Sequence, residues 1–243
     1  MIRTLSVVGF HKTGKTKVVE TIVRKLTEHG YLVGTLKHIT KSGFTIDQPG
    51  KDSWLHAKSG AMQVVLLAPK EIAKIEKRSA GLQEILESLY GLDFVIVEGF
   101  KDFRGLAKVV VAKSKSEADK LMDAFTIACV GVEGMKIPCF DFESLEGITE
   151  IVERKAYPLL LGLDCRQCGM SSCEEYAAAV VSGDKLWDDC PVSRCSLTVT
   201  VDGKRISLSP FAKKIFTSTI KGMVSSLKGV NGEQINIRVM GHD

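Results

Sequence analysis

Apolar residues fall along this chain in two rhythms. Short apolar runs at residues 5–8, 32–36, 64–67, 94–97, 109–111, 126–130 and 138–140 predict strands. Helical spacing between them predicts helices over 15–29, 52–59, 82–90 and 145–155. Strands alternating with helices imply an α/β fold whose mostly parallel sheet is covered on both faces. Residues 62–68 and 71–77 stand too close for a crossover helix, so they predict a hairpin or edge pair inserted into that sheet.

The pattern breaks at Ala156-Tyr157-Pro158, and a cysteine-rich segment follows. Beyond it, runs at 197–201 and 205–208 flank Asp202-Gly203, a strong hairpin signal. Ser209-Pro210 reads as an N-cap and a first-turn proline opening a helix to about 229. Phe211, Ile215, Phe216, Ile220, Met223 and Leu227 are expected to form its apolar stripe, with Lys213, Lys214, Lys221 and Lys228 outside it. A last strand at 235–239 completes a small ββαβ unit. The expected division is 1–155 for an α/β domain, 156–196 for the cysteine segment and 197–243 for the tail.

Composition narrows the function classes. The 243 residues carry a formal charge of +4, with basic residues spread among acids, which argues against a nucleic-acid surface. No apolar run approaches the roughly 20 residues of a membrane span, and Met1-Ile2-Arg3 leads straight into a strand-like stretch without a leader pattern. The expectation is a cytoplasmic protein with no nucleic-acid or membrane partner.

Gly9-Phe10-His11-Lys12-Thr13-Gly14-Lys15-Thr16 fits G-x-x-x-x-G-K-[ST], between a predicted strand and a predicted helix. Glycines let backbone N–H groups turn around phosphate oxygens, and the helix start adds partial positive charge. Lys15 would neutralise the β- and γ-phosphates, and Thr16 would ligate Mg²⁺. Lys12 has two readings, a second charge near the phosphates or a solvent-facing side chain.

Such a loop needs an acid to manage its metal, and Glu98 emerges at the C-terminal end of the apolar run 94–97, where α/β sheets bind ligands. Its contact to Mg²⁺ would be direct or through water. Lys15 and Glu98 are thus the candidate catalytic pair. Asp93, at the other end of that run, reads as solvated. The polar stretch 47–53 is either a turn in which Asp52 or Ser53 caps the next helix, or a phosphate and magnesium element. Lys37-His38 also ends a strand, where a lone histidine is more often a loop residue than a catalyst. No N-K-x-D motif is present, so the residues leave the base undetermined.

Five of the seven cysteines lie between 165 and 195. Cys165, Cys168, Cys173 and Cys190 give C-x2-C-x4-C-x16-C, with Pro191 next. A helix from 173 to 182 would rise about 15 Å, and the steps from Gly183 to Cys190 can extend roughly 23 Å. The fourth thiolate can therefore return to the helix start, making one four-cysteine site feasible. Zinc usually takes two close cysteine pairs; a clustered trio with a remote Cys-Pro favours a [4Fe-4S] cluster, with zinc the lesser alternative. Cys129, Cys139 and Cys195 read as core residues.

The stretches GFHKTGKT, LKHITKSGFTIDQPGKDSWLHAKSGA and FVIVEGFK, in this order, resemble the molybdopterin-guanine dinucleotide biosynthesis protein B family, the MobB-type P-loop proteins, over about residues 1–155. The resemblance implies GTP with Mg²⁺ as ligand, weak GTP hydrolysis, a homodimer, and an adaptor role toward the nucleotidyltransferase that attaches GMP to molybdopterin. It places Gly9, Gly14, Lys15 and Thr16 on phosphates and magnesium, and His11, Lys12 and Thr13 between them are further candidates for nucleotide binding. Asp47, Lys51, Asp52, Glu98 and Gly99 belong around the same site, with Asp47, like Thr16 and Glu98, toward Mg²⁺. Phe10-His11-Lys12-Thr13 departs from the small polar residues common inside the family's loop. The segment from Cys165 to Pro191 resembles the four-cysteine iron-sulfur domain of electron-transfer subunits and corrinoid iron-sulfur proteins. Two other readings remain at this point: a nucleotide-gated electron-transfer protein, and an ATP-dependent ligase or kinase resembling biotin-pathway synthetases.

Overall fold

The computed structural model describes residues 2–160, 162, 164–191, 197, 199–201, 204–206, 208–227, 235 and 237. These fall into two compact units, one of Met1–Leu159 with Ala177–Trp187, the other of Leu160–Tyr176 with Asp188–Asp243.

The first unit is built on six strands, which among the described residues form one sheet in the order β2-β5-β1-β6-β7-β8. They are β1 (Arg3–Val8), β2 (Val33–Lys37), β5 (Phe94–Glu98), β6 (Ala107–Val111), β7 (Thr126–Val130) and β8 (Cys139–Phe140). Every pairing between neighbours is parallel. The central strands are buried along nearly their whole length, because helices cover both faces. Leu5, Val7, Val8 and all of Phe94, Val95, Ile96 and Val97 are fully enclosed. Cys129 also lies in this core, and burial pushes its thiol up to about 11.

Helix α1 (Lys15–Glu28) buries Val18, Ile22 and Leu26, spaced by four, with Val19 beside them. Helix α3 (Leu82–Ser88) seats Leu82 and Leu86 on Val95 and Val97, and α5 (Ile148–Lys155) buries Ile148, Ile151 and Val152. The α/β fold and its mostly parallel sheet are therefore as the periodicity predicts.

Several local expectations are corrected. The hairpin β3 (Gln63–Ala68) and β4 (Glu71–Glu76) forms a separate two-stranded antiparallel sheet and is not inserted into the main one. A place inside that sheet would bury both faces, yet Val64 is the sole buried residue of β3. Asp93 is not merely solvated: its Oδ2 accepts the Leu32 N–H at 2.8 Å, tying the entry of β2 to β5. Helix α2 (Asp52–Lys58) starts from Lys51 without a side-chain cap, so neither Asp52 nor Ser53 caps it, Ser53 donating to Asp47 instead. A short helix α4 (Lys115–Asp119), too brief for a periodic signal, was announced by Ser114-x-x-Glu117: the Glu117 N–H donates to Ser114 Oγ, and Glu117 Oε2 accepts the Lys113 N–H.

In the second unit, α6 (Cys173–Ser182) begins and then continues into the first, and β9 (Val199–Val201) pairs antiparallel with β10 (Lys204–Ile206). Helix α7 (Pro210–Ser225) opens as expected, Ser209 Oγ accepting the Ala212 N–H. Its inward face is rotated from the predicted stripe, running through Lys213, Thr217, Ile220 and Val224, while Phe211, Ile215, Phe216, Met223 and Leu227 are exposed. The spacing of four, three and four is helical; one side chain's shift in phase brings Lys213 inside. Asp202-Gly203, Cys195, Lys228 and most of the expected strand 235–239 lie outside the described residues. Among the described residues, no helix is long and apolar enough to cross a membrane.

Candidate functional site

Parallel strands deliver their C-terminal ends to one edge of the sheet, where the connecting loops open. Here β1, β2 and β5 end side by side, and the segments after them line a cavity of about 750 Å³. The glycine-rich loop after β1 forms one wall, with His11, Lys12, Thr13, Lys15 and Thr16 all facing the cavity. Its backbone shows why the glycines are needed. Gly14 has φ +91°, and a methyl group on Gly9 would stand 2.4 Å from the Val111 carbonyl oxygen. Lys12 is also left-handed at φ +57°, a conformation that costs a non-glycine residue about 1–2 kcal/mol.

Side chains stabilise the loop from inside. Thr13 is buried and its Oγ1 donates to the Phe10 carbonyl at 3.1 Å. Lys15 Nζ donates to the same carbonyl at 2.6 Å and to that of Gly9 at 3.1 Å. Burial pushes the Lys15 ammonium below its ordinary value, Glu98 pulls it back up, and Lys37 adds to the fall. Thr16 is exposed at the start of α1, where the first helical N–H groups have no intrahelical partner.

On the opposite wall, Glu98 ends β5 with its side chain 13% exposed, and Lys37 Nζ lies 3.1 Å from its Oε1. Gly99 turns the chain at φ +104°, where a methyl group would meet His38 Cβ at 2.9 Å. His38 and Phe100 stack, their ring centroids 4.1 Å apart and planes 16° from parallel. The cavity thus joins the ammonium groups of Lys15 and Lys37 with the Glu98 carboxylate and the Thr16 hydroxyl, among further lysines and Asp102, a donor set suited to an anion with a hard divalent cation.

Asp47, Lys51 and Asp52 are not among the residues lining this cavity. Asp47 Oδ1 accepts from Ser53 Oγ at 2.7 Å and from the Gln48 N–H at 3.0 Å, while its Oδ2 is buried without a hydrogen-bond partner. Sequence reasoning missed Phe100, Lys101, Asp102 and Phe103, which complete the lining. Their signal was position, immediately after the strand end that carries Glu98.

The cysteine segment is organised differently. In the second unit Cys165, Cys168 and Cys173 are half-buried and Cys190 is buried. The loop between the first three bends through Arg166 (φ +59°) and Gly169 (φ +83°), whose N–H donates to the Arg166 carbonyl. Cys173 heads α6, and its N–H donates to Asp164 Oδ1 at 2.6 Å. Burial pushes the Tyr176 hydroxyl up to about 12, partly offset by a backbone hydrogen bond from Cys190, with the Cys190 and Cys168 thiols adding to the rise. One phenol therefore adjoins cysteines 22 positions apart in the sequence. Among the described residues, no three His, Cys, Asp or Glu side chains close on a common metal position.

Comparison with known proteins finds two family segments along the chain. Residues 4–132 match the family model of molybdopterin guanine dinucleotide synthesis protein B, and residues 160–192 match one described as "Putative Fe-S cluster". A Methanocaldococcus jannaschii protein named "Putative molybdopterin-guanine dinucleotide biosynthesis adapter protein" is 32% identical over 98% of this chain and 97% of its own length. The Escherichia coli molybdopterin-guanine dinucleotide biosynthesis adapter protein is 26% identical, covering 63% of this chain and 92% of that protein. Among solved structures, Bacillus subtilis MobB superposes with a TM-score of 0.54 at 25% identity, over 63% of this chain and 97% of that one. Phosphate-loop architecture, sheet order and full-length similarity converge: this chain belongs to the molybdopterin guanine dinucleotide synthesis protein B family, and carries a segment of the Fe-S cluster family after its family domain.

Proposed function

We propose that this protein is a GTP-binding adapter in molybdopterin guanine dinucleotide biosynthesis, for a molybdenum or tungsten enzyme, with slow Mg²⁺-dependent GTP hydrolysis and an attached [4Fe-4S] module. The observation that carries the nucleotide reading is the convergence of the glycine loop, Lys15, Lys37 and Glu98 on one cavity at the C-terminal edge of the sheet. The family membership carries the pathway, and the names of the relatives carry the adapter role.

In this reading Lys15 leaves the carbonyls of Gly9 and Phe10 to meet the β- and γ-phosphates, whose negative charge favours its protonated form against the opposing effect of burial. Thr16 and Glu98 hold Mg²⁺, which neutralises charge developing on the phosphoryl oxygens. Asp47, whose Oδ2 has no partner, is held in reserve for the metal's outer sphere, with Lys51 and Asp52 on the same loop. Glu98 also orients the attacking water. Cys165, Cys168, Cys173 and Cys190 supply four thiolates to the cluster, in the segment 156–196, which this reading separates from the tail 197–243. The exposed apolar residues Met62, Val65, Leu67 and Ile72 of the β3–β4 hairpin support a homodimer. The protein partner is the nucleotidyltransferase, and the compartment is the cytoplasm.

The test is reconstitution under anaerobic conditions. Adding this protein with GTP and Mg²⁺ is expected to increase guanylation of molybdopterin by the nucleotidyltransferase. Equal product yield with and without it refutes the adapter role.

A further inference from the structure

The phosphate cavity ends near Gly14, and a second cavity opens from the same sheet edge. It measures about 960 Å³ and lies among the loops that follow β6, β7 and β8, lined by residues including Lys115, Gly131, Glu133, Asp141 and Phe142. Phe142 is the shared wall. A methyl group on Gly14 would stand 2.7 Å from its ring, and one on Gly131 would stand 3.0 Å from the same ring. Gly14 lines the first cavity and Gly131 the second, so a molecule leaving the phosphate loop past Gly14 enters the second cavity along an aromatic ring.

We propose that this second cavity holds the purine base of the nucleotide whose phosphates sit on the glycine loop, and that Glu133 reads it as guanine. The inference rests on the nucleotide reading above and adds the base and its reader. Phe142 gives the base an apolar plate against which to stack. Guanine presents two adjacent donors, N1–H and the 2-amino group, whereas the corresponding edge of adenine has an acceptor at N1. An ionised carboxylate accepts and never donates, so it pairs with guanine and repels adenine N1.

Three carboxylates line the cavity, Glu133, Asp141 and Glu143, and of these Glu133 directly precedes Gly134, against which the Lys115 ammonium stands. Asp141 Oδ1 accepts the N–H groups of Glu143 at 2.8 Å and Ser144 at 2.7 Å. It therefore holds the turn that carries Phe142 and acts as a positioning residue. Glu133 is exposed and its carboxylate has no hydrogen bond or ion pair among the described residues. Beside it, Lys115 Nζ lies 3.0 Å from where a Cβ on Gly134 would be, so the ammonium stands close against the backbone next to Glu133. A cation at that place complements the guanine 6-oxo group and opposes the adenine 6-amino group.

The experiment measures affinities of the full-length protein with Mg²⁺ for GTP, ATP, XTP and inorganic tripolyphosphate. The wild type is expected to prefer GTP to ATP by about tenfold or more. Glu133→Gln should weaken GTP by about tenfold and improve both ATP and XTP, because the amide N–H can donate to adenine N1 and to the 2-oxo group of xanthine. Unaltered GTP, ATP and XTP affinities in a Glu133→Gln protein of wild-type melting temperature overturn the proposal, as does tripolyphosphate binding as tightly as GTP. Lys15→Ala separates the two levels. If it leaves nucleotide affinity intact, the phosphate-loop reading fails. If it abolishes binding while Glu133→Gln changes nothing, the base assignment alone fails.

Discussion

The phosphate edge and the cysteine segment are two ways of building a site. The first hangs chiefly from β1 and β5, which are buried along nearly their whole length, and its loop is closed by bonds from Thr13 and Lys15 to the chain itself. Its shape exists before any ligand arrives. The second has one helix start, a loop with left-handed Asp164 and Arg166, and four thiols. Non-glycine residues in that conformation cost about 1–3 kcal/mol each unless their surroundings hold them. A site of that kind draws its rigidity from what it binds, since metal binding and local folding are one equilibrium.

The largest effect should come from breaking the cysteine site. Cys173→Ser is expected to reduce iron and sulfide from cluster stoichiometry to background and to bleach the visible absorbance, while the GTP affinity of the same preparation stays within about twofold of wild type, as expected for energetically independent sites. Unchanged iron and sulfide would refute the ligand assignment. Loss of both iron and nucleotide binding would show that the contrast between the two regions is false.

Next is Lys15→Ala, which removes the phosphate-facing ammonium of the preformed site and with it two bonds to the loop, while leaving the buried strands untouched. Two charge-assisted bonds to phosphate lost together are worth roughly 3 kcal/mol, so GTP affinity should fall about 100-fold in equilibrium binding. Iron content and melting temperature should remain those of the wild type. A melting temperature lowered by many degrees would mean that the Lys15 bonds to Gly9 and Phe10 are a major part of the fold.

How legible each region was follows from the same contrast. The sheet could be read because strands buried on both faces must be apolar throughout, and the phosphate loop because only glycine fits at Gly9 and Gly14. The turn at Gly99 was legible from its neighbours. What the sequence hid was spatial: that Phe142, 128 positions from Gly14, leans on it, and that Asp47, Lys51 and Asp52 do not line the cavity. The β3–β4 pair had a correct local pattern but no signal for which sheet it joins. In α7 the period was right and the phase was not, because Lys213 carries a long aliphatic stem that can lie inward where a charge argument places it outside.

Gly14→Ala probes how much strain the phosphate loop tolerates. A left-handed alanine costs about 1–2 kcal/mol, and its methyl group must displace the Phe142 ring. The melting temperature should fall by roughly 5 °C in calorimetry, and GTP affinity should drop with it. An unchanged melting temperature would mean that the ring yields freely and the loop is less fixed than its hydrogen bonds suggest.

The smallest expected effect is at Ser114, beside the second cavity. Its Oγ accepts the Glu117 N–H at 3.3 Å, and α4 has five residues, too few to hold itself by internal bonds. Removing an N-cap of this kind costs about 1 kcal/mol, so Ser114→Ala should lower the melting temperature by roughly 2–4 °C. The capped helix adds Ala118 to a core that is otherwise built from Val8, Val110, Leu121 and Cys129. Iron content should therefore be unaffected, and hydrogen exchange should quicken at 114–119 while the β6 and β7 amides keep their protection. If exchange instead quickens across β6 and β7 as well, α4 is part of the scaffold, and the phosphate edge depends on its loops more as the cysteine segment does.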